Sequence, residues 1–276
     1  MQLDAAENIS TMRNRLAALM RTFPWVEMVL FSELAPFGTT KQFAAPLPNS
    51  AEEQFQAMAQ QHRIWLVPGS MYERVENEIY NTAAVINPQG EIVARYRKIF
   101  PFYPYEQNVA SGDQFCVFDV PTVGRFGVCI CYDLWFPETA RTLTAMGAEV
   151  ILHPVLTGTI DRDIEIAIAQ ATGAMFQTFV IDINGLGAGG NGRSCIVDPH
   201  GRCLHQAGTN EEIIPLQIDL DVAKEARENG VRGLGQTLKS FRDRRVDFSI
   251  YDARRWDNAY LASLGALEKP KRNAAK

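Results

Sequence analysis

The amino-acid sequence predicts an α/β fold with two similar halves, each a β-sheet covered by helices. Apolar residues recur at helical spacing near the start of the chain, and short apolar runs typical of strands alternate with helical patterns after it. Two equivalent turns, 87–90 and 198–201, each join two such runs. In each turn Asn or Asp accepts a hydrogen bond, Pro presets φ and Gly closes the turn. The repeated hairpin therefore predicts two halves built alike, with no linker-like stretch between them.

The elements follow in chain order. Apolar spacing predicts a helix over 8–21, and Ser50 is the predicted cap of a second helix that ends at His62. A further helix is expected after Pro137. The predicted strands cover 26–32, 65–71, 82–86, 92–97, 126–130, 179–184, 195–197 and 203–206.

Length and composition limit the possible functions. A chain of 276 residues with 46% hydrophobic residues can bury a large core, and no apolar run is long enough to span a membrane. The net charge is −5 and the only basic cluster is a short tail, so we expect neither a nucleic-acid nor a membrane partner. The chain shows no secretory pattern, and we therefore expect a cytoplasmic protein.

Cysteines and glycines also exclude some functions. The five cysteines have no disulfide-framework spacing, which indicates free thiols, and no histidine has ligand spacing around them, so we predict no metal and no cofactor. The segment 187–192 fits a dinucleotide-binding pattern, but a strand-like run follows it where a helix is required. We interpret these glycines as a loop that allows close backbone approach.

Cys131 ends the apolar run that begins at residue 126, and a helix start follows it. A sharp turn there lifts the thiol out of the sheet, and amides of the next helix can face an anion that forms beside the sulfur. Taken alone, this position favours simple packing, because most free cysteines are small buried hydrophobes. A catalytic interpretation needs partners for the thiol.

Two charged residues stand at the ends of other strand-like runs. Glu33 follows 26–32, and Lys98 follows 92–97. Desolvation at such edges moves the pKa of a carboxyl or an amine toward neutrality. A structural ion pair between Glu33 and Lys98 is the alternative interpretation.

These residues carry a resemblance to a known family. Glu33, Lys98 and Cys131, in that order and each after a strand, resemble the Glu-Lys-Cys triad of the nitrilase superfamily of carbon-nitrogen hydrolases. The segment around Lys98, with Glu106 eight residues later, resembles the lysine loop of the family's aliphatic amidases. The Cys-Tyr-Asp sequence at 131–133 and the Pro-Glu after it are similar to the amidase cysteine motif. Later matching segments are 191–194, 198–201 and 244–251.

The resemblance implies a four-layer α-β-β-α sandwich over 1–251, followed by a C-terminal tail at 252–276. It also implies that Glu33 takes the Cys131 proton and returns it to the leaving nitrogen. By the same resemblance, Lys98 stabilises the oxyanion together with a backbone amide, that of Tyr132. The second glutamate, Glu106, would orient Lys98; a solvated loop carboxylate is the alternative interpretation of Glu106.

The residues around the cysteine favour one reaction within the superfamily. Nitrile-hydrolysing members usually have Trp-Glu after the cysteine, whereas this chain has Tyr132-Asp133, which favours amide hydrolysis. Aromatic walls leave little room and exclude water, so we expect a small aliphatic primary amide. The candidate substrate-binding residues are Tyr105, Tyr132, Trp135 and Phe136.

Other reactions and partners stay open. The alternatives are an N-carbamoyl-amide hydrolase, a nitrilase, or a catalytically silent binding or scaffold protein on this fold. A dicarboxylic monoamide is less expected, because no paired arginines adjoin the triad unless Arg141, Arg162 or Arg193 reaches it. The family pairs its subunits, so we expect a homodimer or a larger even homo-oligomer. Its interface would include apolar residues Leu143, Met146, Phe248, Ile250, Tyr251, Trp256, Tyr260 and Leu261.

Two departures from the family pattern limit these expectations. Family members usually open with an apolar strand, and none precedes Gln2-Leu3-Asp4. We therefore expect either that this strand lies upstream of Met1 or that the first sheet is shorter and exposes an edge. The segment 169–175 lacks the Arg-Ala and Glu-Asn residues common in the family, so the pocket is expected to differ there.

Overall fold

The computed structural model describes residues 5–187, 189–252, 254 and 257–269. The helices are α1 (Ala5–Thr22), α2 (Ser50–His62), α3 (Pro137–Ala145), α4 (Arg162–Phe176), α5 (Asp221–Asn229), α6 (Thr237–Arg242) and α7 (Ala259–Ser263), with 3₁₀ helices Lys41–Phe43, Cys131–Trp135 and Ser249–Tyr251. The strands are β1 (Met28–Leu30), β2 (Trp65–Val67), β3 (Met71–Val75), β4 (Glu78–Ile86), β5 (Ile92–Arg97), β6 (Cys116–Val120), β7 (Gly124–Val128), β8 (Val150–Val155), β9 (Phe179–Asn184), β10 (Leu186–Gly187), β11 (Gly190–Asn191), β12 (Cys195–Val197) and β13 (Cys203–Gln206).

The strands form two large sheets and one small hairpin. In the first sheet the order is β1-β2-β4-β3, with β5 also paired to β4. In the second sheet the order is β13-β12-β9-β8-β7-β6, and its three central strands β7, β8 and β9 run parallel. All six residues of β8 are buried, as expected of a central parallel strand that is covered on both faces.

Alternating side chains build the layers. Leu66, Ala84 and Ile86 pack with the buried faces of α1 and α2. Their neighbours Val67 and Val85 point to the opposite face and pack against the second sheet. Residues of α3 and α4 join that same core from the far side of the second sheet. The result is the α-β-β-α sandwich that the resemblance implied.

Most predicted elements are confirmed, and the differences are local. Both hairpins form at their predicted turns. Asn49, and not Ser50, caps α2, because its side chain accepts hydrogen bonds from the next two free amides. The strand predicted over 65–71 breaks before β3 at Gly69, which has φ +80°. A Cβ on Gly69 would lie 1.9 Å from the Ser32 carbonyl oxygen, so this close approach requires glycine.

The expectation that Leu143 contributes to a subunit interface was wrong. Leu143 is fully buried inside its own subunit, where it packs below Gly127 of β7. The helical spacing after Pro137 identified an apolar face but not the side that the sheet covers. Met146, at the end of the same helix, is exposed. Trp256 lies outside the described residues.

The first sheet has a free side at β1. Among the described strands, β1 pairs only with β2, and the pairing is parallel. A cavity of about 820 Å³ lies along this edge and is lined by residues of β1, of both sheets and of α1. Met28, Leu30, Phe126 and Ile181 contribute to its apolar lining. An apolar cavity therefore lies beside the free edge of the first sheet as the structure describes it.

Candidate active site

A buried cluster of charges lies where three chain segments meet. Glu33 follows β1, Lys98 follows β5, and Glu106 lies in the next loop. The Lys98 Nζ donates to Glu33 Oε1 at 2.9 Å and to Glu106 Oε2 at 2.7 Å. The Lys98 side chain is only 1% exposed and that of Glu33 4%. We call Glu33, Lys98 and Glu106 the front cluster.

Asn81 and the lysine loop hold the front cluster in place. The Asn81 Nδ2 donates to Glu33 Oε1 at 2.8 Å and to Glu106 Oε1 at 3.4 Å. The Phe102 amide donates to Glu106 Oε2 at 2.6 Å. Asn81 was not predicted from the sequence. A polar residue within the apolar run of β4 nevertheless indicates a buried side chain that needs a hydrogen-bond partner. Glu106 is held by these contacts and by Lys98, so it is not a solvated loop carboxylate.

Burial and charge set the protonation states of the front cluster. Burial raises the pKa of Glu33, and the nearby Glu106 raises it further. The positive charge of Lys98 lowers this pKa, but the net shift is still upward. Burial opposes the charge of Glu106 too, but Lys98 lowers the pKa of this second carboxyl. Burial also opposes the charge of Lys98, yet the surrounding acidic groups raise its pKa well above the usual value. The lysine therefore stays cationic, and Glu33 is the carboxyl that exchanges a proton most readily.

Cys131 lies beside this cluster at the start of the 3₁₀ helix Cys131–Trp135. Burial, followed by the charge of Glu33, raises the pKa of its thiol well above the usual value. Its backbone is left-handed, with φ +47°. Such a conformation in a non-glycine residue costs on the order of 1–3 kcal/mol and persists only where the surroundings impose it. The fold therefore specifies the placement of this thiol.

Asp133 ties the cysteine turn to the lysine loop. Its Oδ2 accepts hydrogen bonds from the Ile130 amide at 2.8 Å and the Tyr96 hydroxyl at 2.7 Å. Its Oδ1 accepts from the Phe100 amide at 2.8 Å. Burial nevertheless raises the pKa of Asp133. The aspartate of the Cys-Tyr-Asp motif thus fixes the position of the thiol relative to Lys98.

The predicted aromatic residues gather in one group. Tyr132 contacts the rings of Phe102, Trp135 and Phe136, at centroid distances of 4.8, 5.9 and 5.2 Å. Tyr105 stacks on Phe102 at 4.9 Å but is 54% exposed. Tyr132, Trp135 and Phe136 thus lie in the segment that follows Cys131, whereas Tyr105 is mostly exposed to solvent.

A second group of buried charges contacts the backbone of Cys131. The two ring nitrogens of His153 lie 2.9 Å from the Cys131 carbonyl oxygen and 2.9 Å from Asp182 Oδ2. Arg162 pairs with Asp182 and also with Glu165, at 3.2 Å. We call His153, Asp182, Arg162 and Glu165 the rear cluster. The sequence analysis missed it, although His153 and Asp182 interrupt the apolar runs of β8 and β9.

The three arginines weighed as carboxylate ligands all have other partners. Arg162 belongs to the rear cluster. Arg193 pairs with Asp163 at 2.6 Å. The Arg141 guanidinium lies over the Phe241 ring, 4.2 Å from its centroid. Their positions give no support to the recognition of a second carboxylate.

The fold and this site define a class, an α-β-β-α sandwich with a cysteine beside a buried Glu-Lys-Glu cluster. Residues 1–228 match the family model for carbon-nitrogen hydrolases. The chain therefore belongs to the carbon-nitrogen hydrolase family, within the nitrilase superfamily.

Individual relatives agree with this assignment. The omega-amidase NIT2 of Pongo abelii is 29% identical over 239 residues, covering 77% of this chain and 80% of the relative. The crystal structure of a carbon-nitrogen hydrolase from Helicobacter pylori G27 is similar, with a TM-score of 0.78 and 25% identity over 91% of this chain and 94% of that one. The fold also matches that of Saccharomyces cerevisiae Nit3, with a TM-score of 0.76, 24% identity and coverage of 82% and 88%.

Two features are absent from the described part of the chain. Its helices include none that is both long enough and apolar enough to cross a membrane. Its histidine, cysteine, aspartate and glutamate side chains form no group of three that could hold a metal ion.

Proposed function

We propose that the protein hydrolyses small aliphatic primary amides to a carboxylate and ammonia, with Cys131 as the nucleophile. The observation that carries the proposal is the front cluster: a buried ammonium between two carboxylates, beside the buried thiol of Cys131. The omega-amidase relatives support the amide class. A purely structural Glu33–Lys98 ion pair does not account for the cysteine held next to it in a left-handed conformation.

Acylation starts with a proton transfer. Glu33 takes the proton of the Cys131 thiol, and the sulfur forms a bond to the amide carbonyl carbon while the π electrons move to oxygen. Lys98 and the Tyr132 backbone amide stabilise the oxyanion, and one such donor is typically worth about 10²–10³ in rate. Protonated Glu33 then gives its proton to nitrogen, the carbon-nitrogen bond breaks, and ammonia leaves a thioester on Cys131.

Deacylation reverses these roles with water. Glu33 takes a proton from water, and the oxygen adds to the thioester carbon. The carbon-sulfur bond breaks, the acid is released, and Glu33 returns the proton to the sulfur. Glu33 thus carries one proton in each half of the cycle, which agrees with its raised pKa. Glu106 stays ionised and keeps Lys98 cationic.

The aromatic group supports a small acyl chain. Tyr132, Trp135 and Phe136 lie within the five residues after the nucleophile, and the Tyr132 ring packs on the other two. Bulky or N-substituted amides would have to displace these rings. The other partners of Arg141, Arg162 and Arg193 weigh against a dicarboxylic monoamide.

Steady-state kinetics test the proposal. Ammonia release would be measured with formamide, acetamide, propionamide, a dicarboxylic monoamide and a carbamoyl amino acid, and carboxylate formation with a short nitrile. We expect the highest kcat/KM on a short primary amide and none with Cys131→Ala. A highest value on the nitrile or the carbamoyl compound would overturn the amidase assignment, and no turnover of any compound would favour a silent scaffold.

We further propose that two copies of the chain associate through the region after residue 247. Phe248, Ile250 and Tyr251 are each between 45% and 58% exposed, although all are apolar or aromatic. The Tyr251 hydroxyl donates to Glu138 at 2.8 Å, which places this segment beside α3. Light scattering at micromolar concentration should give at least twice the mass of one chain, and Ile250→Glu should lower it. The mass of one chain for the unsubstituted protein would refute the proposal.

A further inference from the structure

A continuous path of buried polar contacts leaves Cys131 at its backbone and returns to it at its sulfur. From the Cys131 carbonyl oxygen the path runs through His153, Asp182 and Arg162 to Glu165. The Thr157 hydroxyl then donates to Glu165 Oε1 at 2.9 Å. The same hydroxyl oxygen lies 3.8 Å from the Cys131 sulfur. The rear cluster therefore contacts the main chain of this residue directly and its thiol through Thr157.

The contacts of His153 determine its charge. Its Nε2 faces a backbone carbonyl oxygen and its Nδ1 faces the Asp182 carboxylate. Both groups only accept hydrogen bonds in this state, so each ring nitrogen must carry a hydrogen. His153 is therefore an imidazolium, which agrees with the rise of its pKa caused by Asp182 against the effect of burial.

The contacts of the Thr157 hydroxyl also determine where its hydrogen points. Its hydrogen points to Glu165 Oε1, which accepts it at 2.9 Å. The Thr157 oxygen therefore presents lone pairs to the Cys131 sulfur, and it can accept the thiol hydrogen but cannot donate to a thiolate. Thr157 thus helps to set the direction of the thiol hydrogen, which Glu33 also faces.

We propose that His153 is a positioning residue for Cys131, and that Thr157, oriented by Glu165, directs the thiol from the other end of the same path. The proposal rests on Cys131 being the nucleophile. His153 donates to the carbonyl of a residue that is held in the left-handed region, where the surroundings must impose the conformation. Losing that donor frees the cysteine backbone and moves the sulfur relative to Glu33 and Lys98.

Other groups face this path and must be considered in its pH behaviour. Asp182 lies between His153 and Arg162. Its charge adds to the effect of burial in raising the pKa of the Cys129 and Cys195 thiols. Burial raises the pKa of both of these thiols, which keeps them neutral. The charges of the rear cluster are thus two cations and two carboxylates.

The test uses the rate at which iodoacetamide alkylates Cys131, measured peptide by peptide, together with kcat and KM. The variants are His153→Gln, whose single amide nitrogen cannot donate from both of the His153 ring positions, and Thr157→Val, which keeps the shape of the side chain. We expect His153→Gln to lower kcat by about 10²-fold with KM changed by less than about threefold, because a displacement near 1 Å has an effect of that size. We expect Thr157→Val to change the pH dependence of Cys131 alkylation while the protein stays folded.

His205→Gln is the matched control, because His205 also pairs with a carboxylate, that of Glu212, but at the surface. A purely structural role would lower the melting temperature of His153→Gln without changing kcat per folded molecule or the alkylation rate of Cys131. That result, with an unchanged alkylation profile in Thr157→Val, would overturn the proposal. The alkylation rate of Cys131 does not depend on amide hydrolysis, so a failure of the proposed hydrolysis would be recognised separately.

Discussion

The front and rear clusters lie beside the same cysteine and differ in their balance of charge. In the front cluster two carboxylates share the single ammonium of Lys98. In the rear cluster the carboxylates of Asp182 and Glu165 face two cations.

This difference explains the opposite pKa shifts of two buried carboxyls. The pKa of Glu33 is raised by burial, because Lys98 is shared with Glu106. Burial acts on Asp182 in the same direction, but His153 and Arg162 lower its pKa. Equal burial therefore leaves a raised carboxyl pKa where positive charge is short and a lowered one where it is sufficient. We expect the front cluster to serve the reaction and the rear cluster to hold the structure of the site.

The largest expected effect is on activity in the front cluster. Glu33→Gln keeps the shape and the oxygen that accepts from Asn81 and Lys98, but it removes the proton carrier. We expect kcat/KM to fall by about 10²–10⁴-fold. The free energy of unfolding should not fall, because one of two competing carboxylates is removed. Urea unfolding and ammonia release check this, with Glu78→Gln at the surface as the control. A strongly destabilised Glu33→Gln would break the comparison.

The corresponding change in the rear cluster should act on stability. Asp182→Asn leaves the buried His153 and Arg162 without their shared carboxylate. Breaking a buried pair by removing one partner costs about 3–5 kcal/mol, so we expect a loss of that size in the free energy of unfolding. Asp119→Asn, which removes an exposed partner of Arg125, should leave the unfolding curve nearly unchanged. Equal unfolding curves for the two variants would contradict the assigned role.

The pH dependence of activity should follow the front cluster. Glu33 must be ionised to accept the thiol proton, so kcat/KM should rise as pH passes through the raised pKa of Glu33. The midpoint of this acid limb should lie above 4.5, the ordinary value for a glutamate. A profile of kcat/KM against pH measures it. A midpoint at or below 4.5 would show that Glu33 is not the proton acceptor.

The pH dependence of stability should follow the rear cluster and is the smallest effect. The lowered pKa of Asp182 contributes stability above 3.8 that is lost as pH falls through its folded value. The raised pKa of His153 contributes stability below 6.5 that is lost as pH rises through its folded value. The stability difference between the unsubstituted protein and His153→Gln should thus be largest below pH 6.5 and shrink at alkaline pH. A difference that does not vary with pH would oppose this account.

The sequence predicted the front cluster better than the rear one, for a physical reason. Glu33, Lys98 and Cys131 each follow an apolar strand run, and charge at a strand end is visible in one dimension. The rear cluster joins β8, β9 and α4, and Asp182 is 29 residues from His153 and 20 from Arg162, so only the three-dimensional packing pairs it with them. His153 and Asp182 stand out as polar residues in the apolar runs of β8 and β9, but the sequence does not indicate which residues they contact. The prediction for Leu143 was wrong for a similar reason, because periodicity does not identify which neighbour covers an apolar face.

The account depends most directly on Cys131 being the reactive thiol. The other four cysteines are Cys116, Cys129, Cys195 and Cys203, and Cys203 is the least buried of the five. Simple accessibility therefore favours labelling of Cys203, whereas the account favours Cys131.

The deciding measurement is mass spectrometry of peptides after brief treatment of the folded protein with a limiting amount of iodoacetamide. The account predicts that the adduct forms first on Cys131, that a short primary amide slows its formation, and that Cys131→Ala loses both this adduct and amide hydrolysis. Dominant labelling at Cys203 or at another cysteine, with Cys131 left unmodified, would contradict the account.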